Sequence, residues 1–285
     1  MISSDLLSIV LPAKNEAVAV GKTVQKIRTL HPGAEIIVVD DGSTDDTAEV
    51  SASAGATVVR HPYSKGNGAA IKTGARAAKG DVIVFMDADG QHNPEDISRL
   101  IEKMSHGFEM VVGARQSGSQ ASFGRGVANK IYNALASYMT GHRIEDLTSG
   151  FRVVKAAKFK EFLSLLPNGF SYPTTSTMAF FRAGYSVAYI PIDTAKREGK
   201  SHIKPIKDGV RFLLIIFKVG TLYSPLKLFF PMAMMVFMIG LGYYGFTFYT
   251  AGRFTNMSAL MFTTSLIVFM VGLVSEQITA LMYKD

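Results

Sequence analysis

Asp87-Ala88-Asp89 follows the apolar run Val82-Ile83-Val84-Phe85-Met86. On an extended backbone, residues i and i+2 project to the same side. Carboxylates placed this way at the carboxyl end of a buried strand stand where open α/β sheets bind their ligands. An all-oxygen pair suits a hard divalent cation, Mg2+ or Mn2+, shared with substrate phosphates. That points to chemistry on a diphosphate. The competing reading is structural: a strand-terminal aspartate pair that caps a helix. Gln91 follows closely enough to reach the cation or its water, and His92 offers either a base or a cap. Met110-Val111-Val112-Gly113-Ala114-Arg115 reads as a further strand, whose terminal arginine would face the same edge and neutralise a leaving phosphate.

Other loops must complete such a site. Ser8–Pro12, Ile36–Val39 and Thr57–Arg60 are short apolar strands. Helical stretches run from Val18 to Leu30, Asp45 to Ala54, Asn67 to Ala78 and Pro94 to Met104. Strands alternating with helices of this length predict a mostly parallel sheet covered on both faces, an α/β fold. The acidic clusters fall just after strands. Asp41 can accept hydrogen bonds from a base N–H, and Glu16 can do the same or hold a ribose. Asp40, Asp41 and Ser43 can instead cap the helix that follows. Lys65-Gly66-Asn67-Gly68 opens a helix whose free N–H groups, with the lysine, favour an anion; a plain turn with a solvated lysine is the alternative.

At 285 residues the chain is long enough for one globular domain plus an appendage. Leu228 to Tyr249 carries no charged side chain, and Ser258 to Met282 is broken only by Glu276 and Gln277. Each is long enough to cross a bilayer, so together they predict a membrane hairpin. Beyond Pro231 the only basic residues are Arg253 and Lys284, whereas Lys204, Lys207, Arg211, Lys218 and Lys227 precede the first span closely. The positive-inside rule then places the soluble domain and both chain ends in the cytoplasm, on the plasma membrane if the cell is prokaryotic. No charged-then-apolar leader precedes Leu6. The net charge of +7 is assigned to anionic lipid rather than nucleic acid, because basic residues crowd the segment entering the membrane. Residues 205–227 read as an interfacial amphipathic segment between a domain at 1–204 and the hairpin at 228–285. The chain has no cysteine, which excludes disulfides, a thiolate nucleophile and cysteine-ligated zinc. Gly240-Leu241-Gly242-Tyr243-Tyr244-Gly245 has dinucleotide-fingerprint spacing but no preceding strand; it fits close helix packing better.

Pro12-Ala13-Lys14-Asn15-Glu16, Val39-Asp40-Asp41-Gly42-Ser43-Thr44-Asp45, Lys65-Gly66-Asn67-Gly68 and Asp87-Ala88-Asp89-Gly90-Gln91-His92 occur in that order. The set resembles the inverting family-two glycosyltransferases, and within them the dolichol-phosphate mannose synthase and polyprenyl-phosphate glycosyltransferase branch. Gly113-Ala114-Arg115, Thr148-Ser149-Gly150-Phe151-Arg152 and Arg197-Glu198-Gly199-Lys200-Ser201 extend the likeness to about residue 204, and the paired membrane helices resemble bacterial members with a C-terminal hairpin. The resemblance implies a Rossmann-like nucleotide-diphospho-sugar transferase domain. It implies that Pro12, Glu16, Val39, Asp41, Lys65, Asp87, Ala88 and Asp89 bind the donor, and that Asp87, Asp89 and Gln91 hold Mg2+ or Mn2+. Arg115, Arg125 and Arg197 would surround phosphates, joined on the acceptor side by Lys200 or Lys204. Two departures stand out. Lys14 occupies a position that is often aromatic in the family, and Gly199-Lys200-Ser201-His202 replaces a G-x-S-K pattern.

The reaction implied is transfer of a hexose from a nucleotide-sugar, of GDP-mannose or UDP-glucose type, to a polyprenyl phosphate. Rival readings are a transferase to a sugar hydroxyl in polysaccharide synthesis and a noncatalytic nucleotide-binding membrane anchor. The chain has no tryptophan, so the Q-x-x-R-W signature of processive synthases is missing. Ser122 to Gly141 reads as a helix that either presents Arg125 to a lipid phosphate or simply covers the domain. Phe170 to Pro173 and Met178 to Phe181 are expected in the core. A homo-oligomer is left open.

Overall fold

The structure is a computed structural model. It describes residues 7–116, 123–169, 172–194, 217, 220, 221 and 223–282, with the backbone alone at 123–129. The described residues form two compact units, one built on a sheet and one made chiefly of two long helices.

The first unit alternates β1 (Leu7–Ala13), α1 (Ala17–Leu30), β2 (Glu35–Asp40), α2 (Thr47–Ser53), β3 (Thr57–Arg60), α3 (Asn67–Ala77), β4 (Val82–Phe85), α4 (Asp96–Met104) and β5 (Met110–Arg115). Then follow α5 (Phe123–Thr140), β6 (Arg152–Lys155), α6 (Ala156–Glu161), α7 (Tyr172–Arg182) and β7 (Val187–Ile192). The sheet has seven strands in the order β3-β2-β1-β4-β6-β5-β7. All pairings are parallel except those of β6, which runs antiparallel to β4 and β5. The mostly parallel α/β expectation therefore holds. Strand order reverses between β1 and β4, which is where such sheets open a crevice at their carboxyl edge.

Strands of parallel sheets are buried on both faces and so read as unbroken apolar runs. Ile9, Leu11, Val38, Val84, Val111 and Val153 pack with Val20, Val24 and Ile27 of α1 and with Ile97 and Leu100 of α4. Each such side chain contributes about 1.5–3 kcal/mol by leaving water. On the opposite face α3 crosses the sheet closely: a Cβ at Gly74 would lie 2.2 Å from Val10 Cγ1 and 3.2 Å from Val39 Cγ2. Tyr172, Met178 and Phe180 of α7 are buried, as expected. Phe170 and Ser171 lie outside the described residues.

The second unit holds α8 (Pro225–Ala251) and α9 (Asn256–Met282). Both are long and apolar enough to cross a membrane, with mean hydropathy of 1.7 and 2.1. Only 11% and 17% of these stretches are buried, unlike the core helices of a soluble protein. Apart from Pro225 at the start of α8, their buried residues recur every seventh position: Ala233, Gly240 and Thr247 on α8, and Ser258, Ser265, Gly272 and Thr279 on α9. A seven-residue repeat of small side chains lets two helices approach along one seam. A Cβ at Gly240 would lie 2.9 Å from Met261 Cβ, and one at Gly272 would lie 2.6 Å from Phe229 Cβ. The packing reading of Gly240 stands, although Gly242 and Gly245 face no neighbour within 4 Å. Most of the interfacial segment at 205–227 lies outside the described residues.

Candidate active site

β4 leaves the sheet earlier than its sequence suggests. Its last pairings are Phe85 with Val10 and with Arg152, and only the Met86 N–H continues, donating to the Val10 carbonyl at 3.2 Å. Asp87 therefore lies beyond the strand, and Ala88-Asp89 forms a turn. This corrects the extended-backbone argument. The two carboxylates share a turn at the crevice, not one face of a strand. Asp89 Oδ1 accepts the Gln91 N–H at 3.1 Å, so the turn folds around its own acidic group.

Three neighbours shape the space at Asp87, whose side chain is 39% exposed. His92, which is buried and bridges to Thr194, brings Nε2 to 3.6 Å from Asp87 Oδ2. The His92 ring lies against Phe151, with centroids 5.1 Å apart. Gly150 approaches from the other side: a Cβ there would lie 3.1 and 3.3 Å from the two carboxylate oxygens. Gly150 is itself held, because its carbonyl accepts the Tyr172 hydroxyl at 2.9 Å. Burial pushes the Tyr172 phenol up, so it stays a donor.

Behind this point Arg152 is fully buried. Its guanidinium donates to the Ser149 carbonyl, to the Pro173 carbonyl at 3.0 Å, to Ser176 Oγ at 2.8 Å and to Thr177 Oγ1 at 3.1 Å. It also stacks on the Tyr172 ring, 5.5 Å from the centroid. One buried cation thus ties the Ser149-Gly150 backbone to the first turn of α7.

Arg115 ends β5 at the same edge. Asp146 grips it with two side-chain bonds, from Nε at 2.8 Å and from NH2 at 3.0 Å, and also accepts its backbone N–H. Thr148 Oγ1 accepts from the same NH2 at 2.6 Å. Burial opposes the charge on Arg115, but the hydrogen bonds and charge of Asp146, and then the charge of Asp87, raise its pKa overall. In Asp146 burial favours the neutral acid. The bonds and charge of Arg115, with the N–H groups of Arg115 and Thr148, outweigh it and lower the pKa. The loop carrying Asp146 hangs from α5, where Asn133 donates to the Glu145 carbonyl and accepts the Leu147 N–H.

At the other end of the edge, Asp41 accepts four bonds: His61 Nδ1 at 2.7 Å, Ser64 Oγ at 2.7 Å, and the N–H groups of Lys65 and Gly66 at 2.8 Å. Burial raises the Asp41 pKa, and these four donors overcome it to leave the pKa low. The first two loops are cross-linked: Asn15 N–H reaches Ser43 Oγ, Glu16 N–H reaches Thr47 Oγ1, and Ala17 N–H reaches Asp45 Oδ2. Ser43 therefore serves a neighbouring loop. The residue that holds the start of α2 is Asp45, bonded to the N–H and hydroxyl of Thr47.

The open helix terminus expected at Lys65–Gly68 is not there. The N–H groups of Lys65 and Gly66 go to Asp41, and those of Gly68 and Ala69 go to the carbonyls of Gly169 and Asn168. A buried backbone donor is seldom left open, and these four have protein acceptors. Lys65 keeps an exposed side chain for an anion. Pro12 and Glu16 are half-buried at the crevice, whereas Val39 and Ala88 are buried and can offer a ligand only their backbone. The Arg125 side chain and Arg197, Lys200 and Lys204 lie outside the described residues. Sequence reasoning missed Asp146, His61 and Arg152's role, since each acts through a partner distant in the chain.

The donor chemistry fits a hard cation. Asp87, Asp89 and Gln91 offer oxygens on one turn, and Gly150 keeps a Cβ away from Asp87. Among the described residues no three acidic, histidine or cysteine side chains converge as a closed metal cage. A small protein ligand set leaves coordination positions for phosphate oxygens and water, as Mg2+ sites on phosphates require.

Residues 8–163 match the family model described as glycosyl transferase family 2, and residues 224–281 match the GtrB C-terminal hairpin. Glycosyltransferase AglJ of Haloferax volcanii is 26% identical over 85% of this chain and 81% of its own length. Undecaprenyl-phosphate 4-deoxy-4-formamido-L-arabinose transferase of Pectobacterium atrosepticum is 32% identical over 59% of this chain, which spans 57% of that relative's length. Among solved structures, glucosyl-3-phosphoglycerate synthase from Mycobacterium tuberculosis, in complex with Mn2+ and UDP-glucose, superposes with a TM-score of 0.61 at 23% identity. The match covers 76% of this chain and 78% of that one, and shows a shared GT-A-like fold. Over more than half its length, and by the ordered motifs around its crevice, this chain belongs to glycosyl transferase family 2, with a GtrB-type hairpin at its C-terminal end.

Proposed function

We propose that the protein transfers a hexose from a nucleoside-diphosphate sugar to a polyprenyl phosphate at a membrane, with inversion at the anomeric carbon. The observation that carries this reading is Arg115. It is held rigid by Asp146 and lies in the field of Asp87, at the carboxyl edge of the sheet, in a chain that also carries two membrane-length helices. The curated relative named as an undecaprenyl-phosphate transferase supports the lipid acceptor.

An oxygen of the lipid phosphate attacks the anomeric carbon. The bond from that carbon to the diphosphate breaks, and its electron pair leaves on the diphosphate oxygen. A phosphate monoester has a second pKa of about 6 and arrives largely ionised, so positioned cations matter more than a general base. Asp87, Asp89 and Gln91 would hold Mg2+ or Mn2+, which supplies charge neutralisation on the diphosphate. Arg115, fixed before substrate arrives, offsets negative charge at no cost of reorganisation. Gly150 leaves the Asp87 carboxylate accessible. On α5, Ile131 and Tyr138 are 60% and 56% exposed while Tyr132 and Ala136 are buried, so one face of the helix remains apolar and available to lipid. Arg125, Arg197, Lys200 and Lys204 are assigned to acceptor and donor phosphates. The basic residues before the first span support a cytoplasmic position for the catalytic unit.

The test is incubation of membranes with a panel of labelled GDP- and UDP-sugars and a polyprenyl phosphate, followed by extraction. Label in the organic phase, lost on Asp89→Ala, is the expected result and names the sugar and base together. Label confined to a water-soluble polymer would contradict it.

A further inference from the structure

Tyr63 is an exposed ring on a fixed backbone. The loop 61–66 lies at the carboxyl edge, because β3 runs parallel to β2. Gly42 has φ +69°, and a Cβ there would lie 2.7–2.9 Å from the backbone of Tyr63 and Ser64, so only glycine lets the two loops meet. Asp41 then takes Ser64, Lys65 and Gly66, and His61 spans from Asp41 to Thr73 Oγ1 at 2.9 Å. With its main chain held on all these sides, Tyr63 still leaves 67% of its surface in water, and Lys65 Nζ sits 5.8 Å from its ring centroid.

Nothing in folding requires this. An aromatic ring buried against neighbours gains its full apolar burial; one left mostly in water beside a lysine gains only a weak cation–π contact. On the two neighbouring loops, after β1 and β2, the exposed side chains are Lys14, Asn15, Thr44 and Asp46, none with a π-face. Distance agrees as well. β3 and β4 are three strand steps apart in the sheet order, which at about 4.8 Å each is about 14 Å. That is the scale of an extended nucleoside diphosphate, with its phosphates at Asp87 and Asp89 and its base at the β2–β3 end.

We infer that Tyr63 is the stacking platform for the nucleobase of the donor, with Lys65 leaving the ring to meet the phosphate that follows; the inference rests on the donor reading above. Stacking uses the π-face common to every base. Tyr63 therefore sets affinity for the nucleoside without choosing between uracil and guanine.

The full chain in detergent, with Mg2+, is titrated with UDP, GDP and inorganic pyrophosphate. Tyr63→Ala is expected to weaken UDP and GDP binding about 5- to 100-fold, Tyr63→Phe to restore it, and pyrophosphate to bind all three proteins alike. The chain has no tryptophan, so Tyr63→Trp places a single indole on this loop. Its emission should be quenched by UDP or GDP and unchanged by pyrophosphate. Equal nucleotide affinity in Tyr63→Ala, or an equal loss for pyrophosphate, overturns the platform while leaving the donor reading intact. Failure of the unaltered protein to bind either nucleotide overturns both.

Discussion

Asp146→Asn keeps the size of the side chain and removes the charge that fixes Arg115. Breaking a buried pair leaves the partner's charge uncompensated, so stability should fall by about 3 kcal/mol, read from thermal unfolding. Turnover should fall further than stability explains, since a loose Arg115 no longer meets the diphosphate in one geometry. The pH dependence separates protein from substrate. Asp146 has a folded pKa below the ordinary 3.8, so its contribution is complete above about pH 4 and is lost as pH falls below that. The acceptor phosphate titrates near pH 6. A fall in rate between pH 7 and 5 with unchanged unfolding temperature is therefore expected. Loss of stability in that window would contradict the assignment. Gly150→Ala addresses the opposite wall. Its Cβ would press on Asp87, a half-buried side chain that can yield, so the fold should survive while turnover drops about tenfold from a displaced ligand. The residues we propose to meet metal and substrate were legible in the sequence because their types are chemically narrow: Asp87, Asp89, Gln91 and Arg115. Their partners were not. Asp146 lies 31 positions from Arg115, and only the return of the chain through α5 into antiparallel β6 brings them together.

Among elements, β1, β2, β4 and β5 could be read directly, because strands buried on both faces have unbroken apolar runs, and the half-exposed edge strand β3 was legible from its paired valines. β6 could not. Its four residues begin with Arg152, whose burial depends on acceptors from α7. β7 contains Pro191, which signals a break in sequence yet is tolerated because β7 is an edge strand. The hairpin shows the reverse case. Its length and lack of charge announced two spans, but the seven-residue recurrence of small residues was legible and went unused. That seam gives an antiparallel register: Gly240 faces Met261, Gly272 faces Phe229, and Ser265 Oγ donates to the Ala233 carbonyl at 2.9 Å. In this cysteine-free chain, Gly240→Cys with Met261→Cys should form a disulfide on mild oxidation in membranes, seen as a mobility shift. Gly242→Cys with Met261→Cys should not, because Gly242 faces no neighbour within 4 Å. Equal yields from both pairs would mean the helices lack this register.

For the molecule as a whole, the question is which way the hairpin threads the bilayer. Each long helix has 27 residues, about 40 Å at 1.5 Å per residue, against a hydrocarbon core of about 30 Å. As membrane spans the helices would overshoot, and their ends would sit among headgroups. Glu276 marks one such end. Its carboxylate accepts the Leu226 N–H at 3.2 Å, so the last turns of α9 close the open start of α8. A carboxylate at a helix N-terminus is favoured by the helix dipole, whereas one alone in hydrocarbon is costly. Leu226, Lys227 and Glu276 thus share one interface, and the connector from Gly252 to Thr255 belongs to the other. The connector carries Arg253 alone, and Lys227 stands at the first interface with four more basic residues between 204 and 218 before it. We propose that charge asymmetry of this sign retains the Lys227 end in the cytoplasm. A single cysteine at Thr255 in intact cells should react with an impermeant maleimide, and one placed after Met282 should react only once the membrane is opened. Labelling of the second site alone from outside would invert the topology. It would also put the crevice with Asp87 and Arg115 on the outer side of the membrane, because those residues precede the first span, and so overturn the cytoplasmic position proposed for donor binding.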